Sequence, residues 1–143
     1  MTRKRNQKGR NSGGPAFVQL FNYMLASEAW RSLKPQARAV YLAIAGRYKG
    51  ANNGYLAASV RDLASECLID AKTVTASLNG LIARGFIERT QEGSFACKVR
   101  LAAEYRLTVF PCDRTGDKPT KAFMKWKAFD VATRQETPSQ NLG

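Results

Sequence analysis

Apolar residues recur along this chain first at helical spacing and later at strand spacing. Phe17, Leu20, Phe21, Met24 and Leu25 lie three and four apart, which predicts a helix over 17–25 with one buried face. Ser27 stands where it can cap a second short turn carrying Trp30 and Leu33. Pro35 suits the first turn of a third helix, where its missing N–H goes unused, and Ala37, Val40, Tyr41, Ile44 and Tyr48 mark one face of that helix. Gly50 and Asn52-Asn53-Gly54 stop it, and residues 55–58 predict a short strand.

The next stretch repeats the helical period twice. Ser59 and Asp62 have the spacing of a capping box, so a helix runs to Glu66 with Val60, Leu63, Ala64 and Cys67 facing inward. The turn Leu68-Ile69-Asp70 follows, with Asp70 placed to cap the next helix by accepting backbone N–H bonds. In that helix, 71–84, the buried stripe is Val74, Leu78, Leu81 and Ile82. Lys72, Thr73, Thr75, Ala76 and Asn79 are left on the outer side. Gly85 ends the helix in a left-handed conformation. Strands are then expected over 86–90 and 95–101, joined by Gln91-Glu92-Gly93-Ser94, with Phe95, Cys97, Val99 and Leu101 alternating against Ala96, Lys98 and Arg100.

Two short helices and a hairpin in this order are a winged helix-turn-helix. The predicted fold class is mainly α with a small β-hairpin wing. Residues 105–110 predict an extra strand. Beyond Pro111 the pattern weakens, and Phe123, Trp126 and Phe129 recur at three among lysines. Docking of these aromatic side chains on the domain is favoured over stacking on nucleic acid. The expected organisation is a basic arm over 1–15, the domain over 16–110, an aromatic and basic extension over 111–132 and a polar tail over 133–143.

Charge changes the picture more than composition does. The net charge is +12, and Arg3, Lys4, Arg5, Lys8 and Arg10 crowd the first fourteen residues with no acid among them. Such an arm is too polar to bury itself and fits a polyanionic partner, since each cation near a phosphate releases condensed counterions. No apolar run is long enough to span a bilayer, and the basic start leads into Gly-Gly-Pro rather than a secretory apolar segment, so a cytoplasmic location is expected. Cys67, Cys97 and Cys112 are odd in number and widely spaced, as free thiols in a reducing compartment are.

Candidate chemistry narrows to binding. Without a single His and without a Cys-x-x-Cys pair, neither a metal site nor a catalytic triad is expected, and no cofactor is implied. Asp62 and Glu66 share a helix face, but a cap and the helix dipole account for first-turn acids; Cys67 has no neighbouring base to activate it. An enzyme is therefore not expected. For double-stranded DNA the candidate base readers are Lys72, Thr73, Thr75, Ala76 and Asn79. The candidate backbone or minor-groove contacts are Arg61, Arg89, Ser94, Lys98 and Arg100, with Arg3, Lys4, Arg5, Lys8 and Arg10 of the arm. The competing class is a protein-interaction module that presents Phe17, Phe21, Phe123 and Trp126 to a partner. Pairing of helix 17–25 with its copy would give a homodimer.

The residues that carry a resemblance are Trp30-Arg31-Ser32-Leu33, the Asn52-Asn53-Gly54 turn, the helix-turn-helix from Ser59 to Ile87, Tyr105-Arg106-Leu107-Thr108, Pro111-Cys112-Asp113, and Pro119-Thr120-Lys121 with Phe123-Met124 and Trp126. Together, over residues 17–127, they resemble small winged helix-turn-helix proteins of alphaproteobacterial genomes and mobile elements. The run from Leu81 to Arg89 is also similar to bacterial regulators of the MarR and GntR types and to the winged helices of plasmid replication initiators. The resemblance implies a DNA-binding regulator, or an accessory protein for replication or transfer of a mobile element; the competing protein-interaction module would serve as an anti-activator or as such an accessory factor. Two departures from a usual recognition helix are Gly80 in its interior and Lys72 as the one strong cation on its outer face.

Overall fold

The structure, a computed structural model, describes residues 14–96 and 99–128. The expectations for Arg3, Lys4, Arg5, Lys8, Arg10, Cys97, Lys98, Phe129 and the tail lie outside the described residues. The helices are α1 (Asn22–Leu25), α2 (Glu28–Arg31), α3 (Pro35–Ala45), α4 (Val60–Cys67) and α5 (Ala71–Ala83). The strands are β1 (Leu56–Ala57), β2 (Ile87–Gln91), β3 (Ser94–Ala96), β4 (Val99–Leu101) and β5 (Glu104–Leu107), and a short 3₁₀ turn covers Ala122–Met124.

Local chemistry explains most helix ends. Ser27 Oγ accepts from the Trp30 N–H at 3.2 Å, Ser59 Oγ accepts from the Asp62 N–H at 3.0 Å, and Pro35 opens α3. At the end of α5 the Phe86 N–H reaches Leu81 O at 3.0 Å and the Gly85 N–H reaches Ile82 O at 3.1 Å, with Gly85 at φ +83°. This is a Schellman motif, and it turns the chain sharply from helix into strand.

The first predicted helix is much shorter than 17–25. Only Asn22–Leu25 is helical, and Phe17 and Val18 are exposed ahead of it. Phe21 stacks on Tyr23 with ring centroids 5.5 Å apart and also packs on Phe110 at 5.8 Å. Side chains two apart do not face each other on a helix, so the Phe21–Tyr23 stack goes with a Phe21 that stands outside α1, its own backbone extended at φ −84° and ψ 140°.

The sheet also departs from expectation. β5 lies in the middle, antiparallel to β1 on one side and β2 on the other, with Leu56 opposite Tyr105 and Ile87 opposite Leu107. Among the described residues, the predicted partnership of 86–90 with 95–101 does not form. The described parts of this run belong to two strands rather than one, since β3 pairs with β4 and Ala96 stands opposite Val99. The run over 105–110 is thus the central strand of the wing's base, not an extra, and its strand ends at Leu107. Burial decides this: Tyr105, Arg106 and Leu107 are all buried, which suits a strand covered on both sides.

The core joins the helices to this sheet. Val40, Tyr41 and Ile44 of α3, Leu63 of α4, and Val74, Leu78 and Leu81 of α5 meet beneath Ile87, Tyr105 and Leu107. Trp30 stands edge-on to Tyr41 and to Phe86 at 5.5 and 5.6 Å, and Phe123 stacks on Phe86 at 4.9 Å. Phe123 is 1% exposed and is therefore core, not the partner surface it was a candidate for. Phe21 is half-buried against Phe110, and Trp126 packs half-buried against the core, whereas Phe17 is exposed.

One polar residue stitches the two ends of this arrangement together. Asn53 is fully buried; its Nδ2 donates to Leu107 O and Pro111 O, each at 2.9 Å, and its Oδ1 accepts from the Leu107 N–H at 2.7 Å. Its own N–H donates to the Asp113 carboxylate at 2.8 Å, and its carbonyl accepts from the Asp113 N–H at 2.9 Å. The Asn52-Asn53-Gly54 turn is thereby tied to Pro111-Cys112-Asp113.

Candidate nucleic-acid interface

α5 is backed by α3 and α4 and presents one bare face. On it Lys72, Thr75, Ala76 and Asn79 are exposed and Thr73 is half-buried, so all five predicted reading residues lie on the outer side of one helix. Their polar ends differ. Thr75 Oγ1 donates back to Ala71 O at 3.1 Å, which leaves its methyl group and an acceptor lone pair for anything outside. The Thr73 hydroxyl donates to Asp70. Among the described residues, the Lys72 ammonium and the Asn79 amide have no hydrogen-bond partner, and they are the available donors of this face.

Asp70 takes its expected place but not its expected bonds. It is the N-cap of α5, and its carboxylate accepts from the Thr73 hydroxyl; the Thr73 and Lys72 N–H groups lie beside it and favour its charged form without making a well-formed cap bond. That hydroxyl holds the Asp70 carboxyl below the ordinary carboxylate pKa. A lowered folded-state pKa makes the contribution complete above the unfolded value and removes it as pH falls through the folded one. The stability difference between the wild type and Asp70→Asn is therefore expected to shrink below about pH 4, the ordinary Asp range. Denaturation midpoints of both proteins at pH 6 and pH 3 check this; a constant difference would rule out the Thr73 contact.

Two grooves flank α5. On the wing side, a cavity of about 280 Å³ is lined by Ser59, Thr75, Asn79, Arg89, Glu92 and Gly93, among others. Arg89 lies 5.6 Å over the Tyr105 ring and 3.4 Å from the Glu92 carboxylate, so its charge is already half-answered within the wing. Arg61 is exposed on α4 with no ion pair among the described residues. Ser94 and Arg100 fall on β3 and β4, where they pair with Leu101 and Phe95 respectively.

On the other side of α5, a cleft of about 450 Å³ runs between it and the start of α3. Lys34, Gln36, Lys72, Thr73, Ala76, Gly80 and Arg84 are among its lining residues. Nothing local in the sequence marks Lys34 and Arg84 as members of this site. Lys34 stands outside the predicted helix as its N-cap, and Arg84 sits on the last position of the α5 pattern, where only the fold shows which way it leans. Gly80 lies under the Arg84 side chain: a Cβ on it would touch the Arg84 guanidinium at 3.4 Å.

Residues 31–87 match a family described as "Helix-turn-helix domain". This stretch is a helix-turn-helix domain. The match spans α3, α4, α5 and the entry into β2, so it covers the bare face of α5 and both sides of the cleft. Neither the curated proteins nor the solved structures contain a match to the chain. With β1, β2 and β5 forming the small antiparallel sheet behind it, the helix-turn-helix domain is of the winged kind and points to DNA as its partner. Among the described residues no group of acids and cysteines is arranged to hold a metal ion, and no helix is long and apolar enough to cross a membrane.

Proposed function

We propose that this protein is a sequence-reading DNA-binding regulator of transcription, which lays α5 in the major groove and rests its wing and basic arm on the backbone. The observation that carries this reading is the bare face of α5 within a helix-turn-helix domain, with an uncommitted Asn79 amide facing outward. An Asn side chain can bond an adenine edge through two atoms, and Thr75 offers a methyl group for a thymine or an acceptor for an amino group. The excess positive charge of the first fourteen residues supplies attraction that carries no sequence information. The resemblance to small winged helix-turn-helix proteins of mobile elements supports a regulatory task of this kind, carried out in the cytoplasm without catalysis.

Selection of bound fragments from a random duplex library, at about 150 mM salt, tests it. One enriched motif is expected. On that motif Asn79→Ala should cost about 1 to 3 kcal/mol while leaving binding to unrelated duplex nearly unchanged. Retention without enrichment would reduce the protein to a sequence-indifferent DNA binder, and equal losses on every duplex would remove Asn79 from base reading.

A further inference from the structure

The cleft between α3 and α5 is lined by three cations and no acid: Lys34, Lys72 and Arg84. None of the three has an ion pair among the described residues. The one acid at that end of α5, Asp70, is bonded to the Thr73 hydroxyl. Arg84 is also held in place. Its Nε donates to Ser32 Oγ at 2.7 Å, its Nη1 reaches Gly80 O at 3.3 Å, and the guanidinium lies 4.9 Å over the Trp126 ring. Two of its five N–H donors are used, and three remain for a ligand. A fixed guanidinium with spare donors, two lysines on the same cleft and the Gln36 amide beside them form a complement to phosphate.

We propose that this cleft seats the phosphodiester backbone of one DNA strand, so that Lys72, with Lys34 and Arg84, grips phosphate while base reading is left to Asn79 and Thr75 on the wing side of α5. The inference rests on the DNA-binding reading above and deepens it. The cleft runs beside the same helix that faces the groove, and a duplex whose bases meet Asn79 has a phosphate strand along that edge. The proposal also fixes what kind of contact each edge of α5 makes. The Lys72–Gly80 edge positions and the Thr75–Asn79 edge specifies.

The test is a salt titration of duplex binding by the full chain, comparing wild type with the exposed double variant Lys34→Gln/Lys72→Gln, on a selected site and on an unrelated duplex. Removing one lysine from its phosphate is expected to reduce the slope of log K against log salt by about 0.9, and removing both by about 1.8, with the same fold loss on either duplex. Circular dichroism of the variant establishes that it is folded. An unchanged slope in a folded variant that still binds overturns the cleft and leaves the DNA reading standing. A loss confined to the selected site returns Lys72 to base reading and likewise overturns it. Failure of the wild type to bind any duplex removes both. A parallel titration with inorganic phosphate, read at the Gln36 and Thr73 backbone amides by NMR, separates a free anion from the DNA strand. Saturable shifts there without any change in DNA slope would make the cleft a small-anion site and overturn the proposal.

Discussion

Gly85→Val is expected to cost about 2 to 5 kcal/mol of stability, through two effects that act at one atom. A side chain on a left-handed residue is penalised by roughly 1 to 2 kcal/mol, and Gly85 sits at φ +83°. The added Cβ would in addition stand 2.6 Å from Ala122 Cβ and 2.8 Å from the Ala122 carbonyl carbon, an overpacking that typically costs about 1 to 3 kcal/mol. Urea denaturation followed by circular dichroism reads the total. The smaller variant Gly85→Ala, alone and combined with Ala122→Gly, separates the effects: relief of the side-chain clash should restore part of the stability and leave the backbone share. A Gly85→Val protein within about 0.5 kcal/mol of wild type, the range of ordinary surface substitutions, would mean that the 122–124 turn does not pack on the helix end.

Asn53→Ala is expected to cost about 2 to 6 kcal/mol and to leave the shape of the domain nearly unchanged until it unfolds. The substitution strips the Leu107 N–H of its acceptor and takes donors from Leu107 O and Pro111 O. Each buried group left without a partner costs about 1 to 3 kcal/mol, and the two fully buried ones, the Leu107 N–H and the Leu107 O, set the range. Against a typical domain stability of about 5 to 15 kcal/mol, this brings the fold near its threshold. Asn53→Asp should be no better, since it keeps the acceptor but buries a carboxylate against carbonyl oxygens. A thermal midpoint of Asn53→Ala equal to wild type would show that the turn and the 107–113 segment are not joined through this side chain.

Helices α3 to α5 and the places of most strands are legible in the sequence, while the extent of the first helix and the pairing of the strands are not, for reasons that particular residues make plain. α3, α4 and α5 follow from a 3.6-residue period bounded by Pro35, Ser59 and Gly85, which are local signals. Asp70 is legible as a cap position, but its carboxylate turns to a neighbouring hydroxyl that competes with the backbone on equal terms. Strand pairing depends on partners far apart in sequence. Alternation over 95–101 is equally compatible with one strand or with two that fold on each other, and nothing local says that β2 prefers β5. Similarly, the spacing of Phe17, Leu20 and Phe21 suits a helix, and nothing local announces that Phe21 instead packs on Tyr23 and on the distant Phe110.

Of the candidate site, the α5 face is legible in full, because residues on the outer side of an amphipathic helix are fixed by the same period that fixes its core. The cleft is not. Its cations come from two elements, Lys34 at the start of α3 and Lys72 and Arg84 on and beyond α5, and their convergence is a matter of tertiary packing. The Arg84 guanidinium owes its place to Ser32 and Trp126, which are remote from it in sequence.

The position of β5 in the sheet bears on how the chain is made. Synthesis delivers β1 and β2 before the strand that lies between them, and the Phe86 face before Phe123. A nascent chain halted near residue 101 would hold all the helices of the helix-turn-helix domain and two strand edges with nothing to join them, a condition that invites association with other chains. The sheet can therefore close only once residues 104–107 have been made, and the stack on Phe86 only once Phe123 has followed.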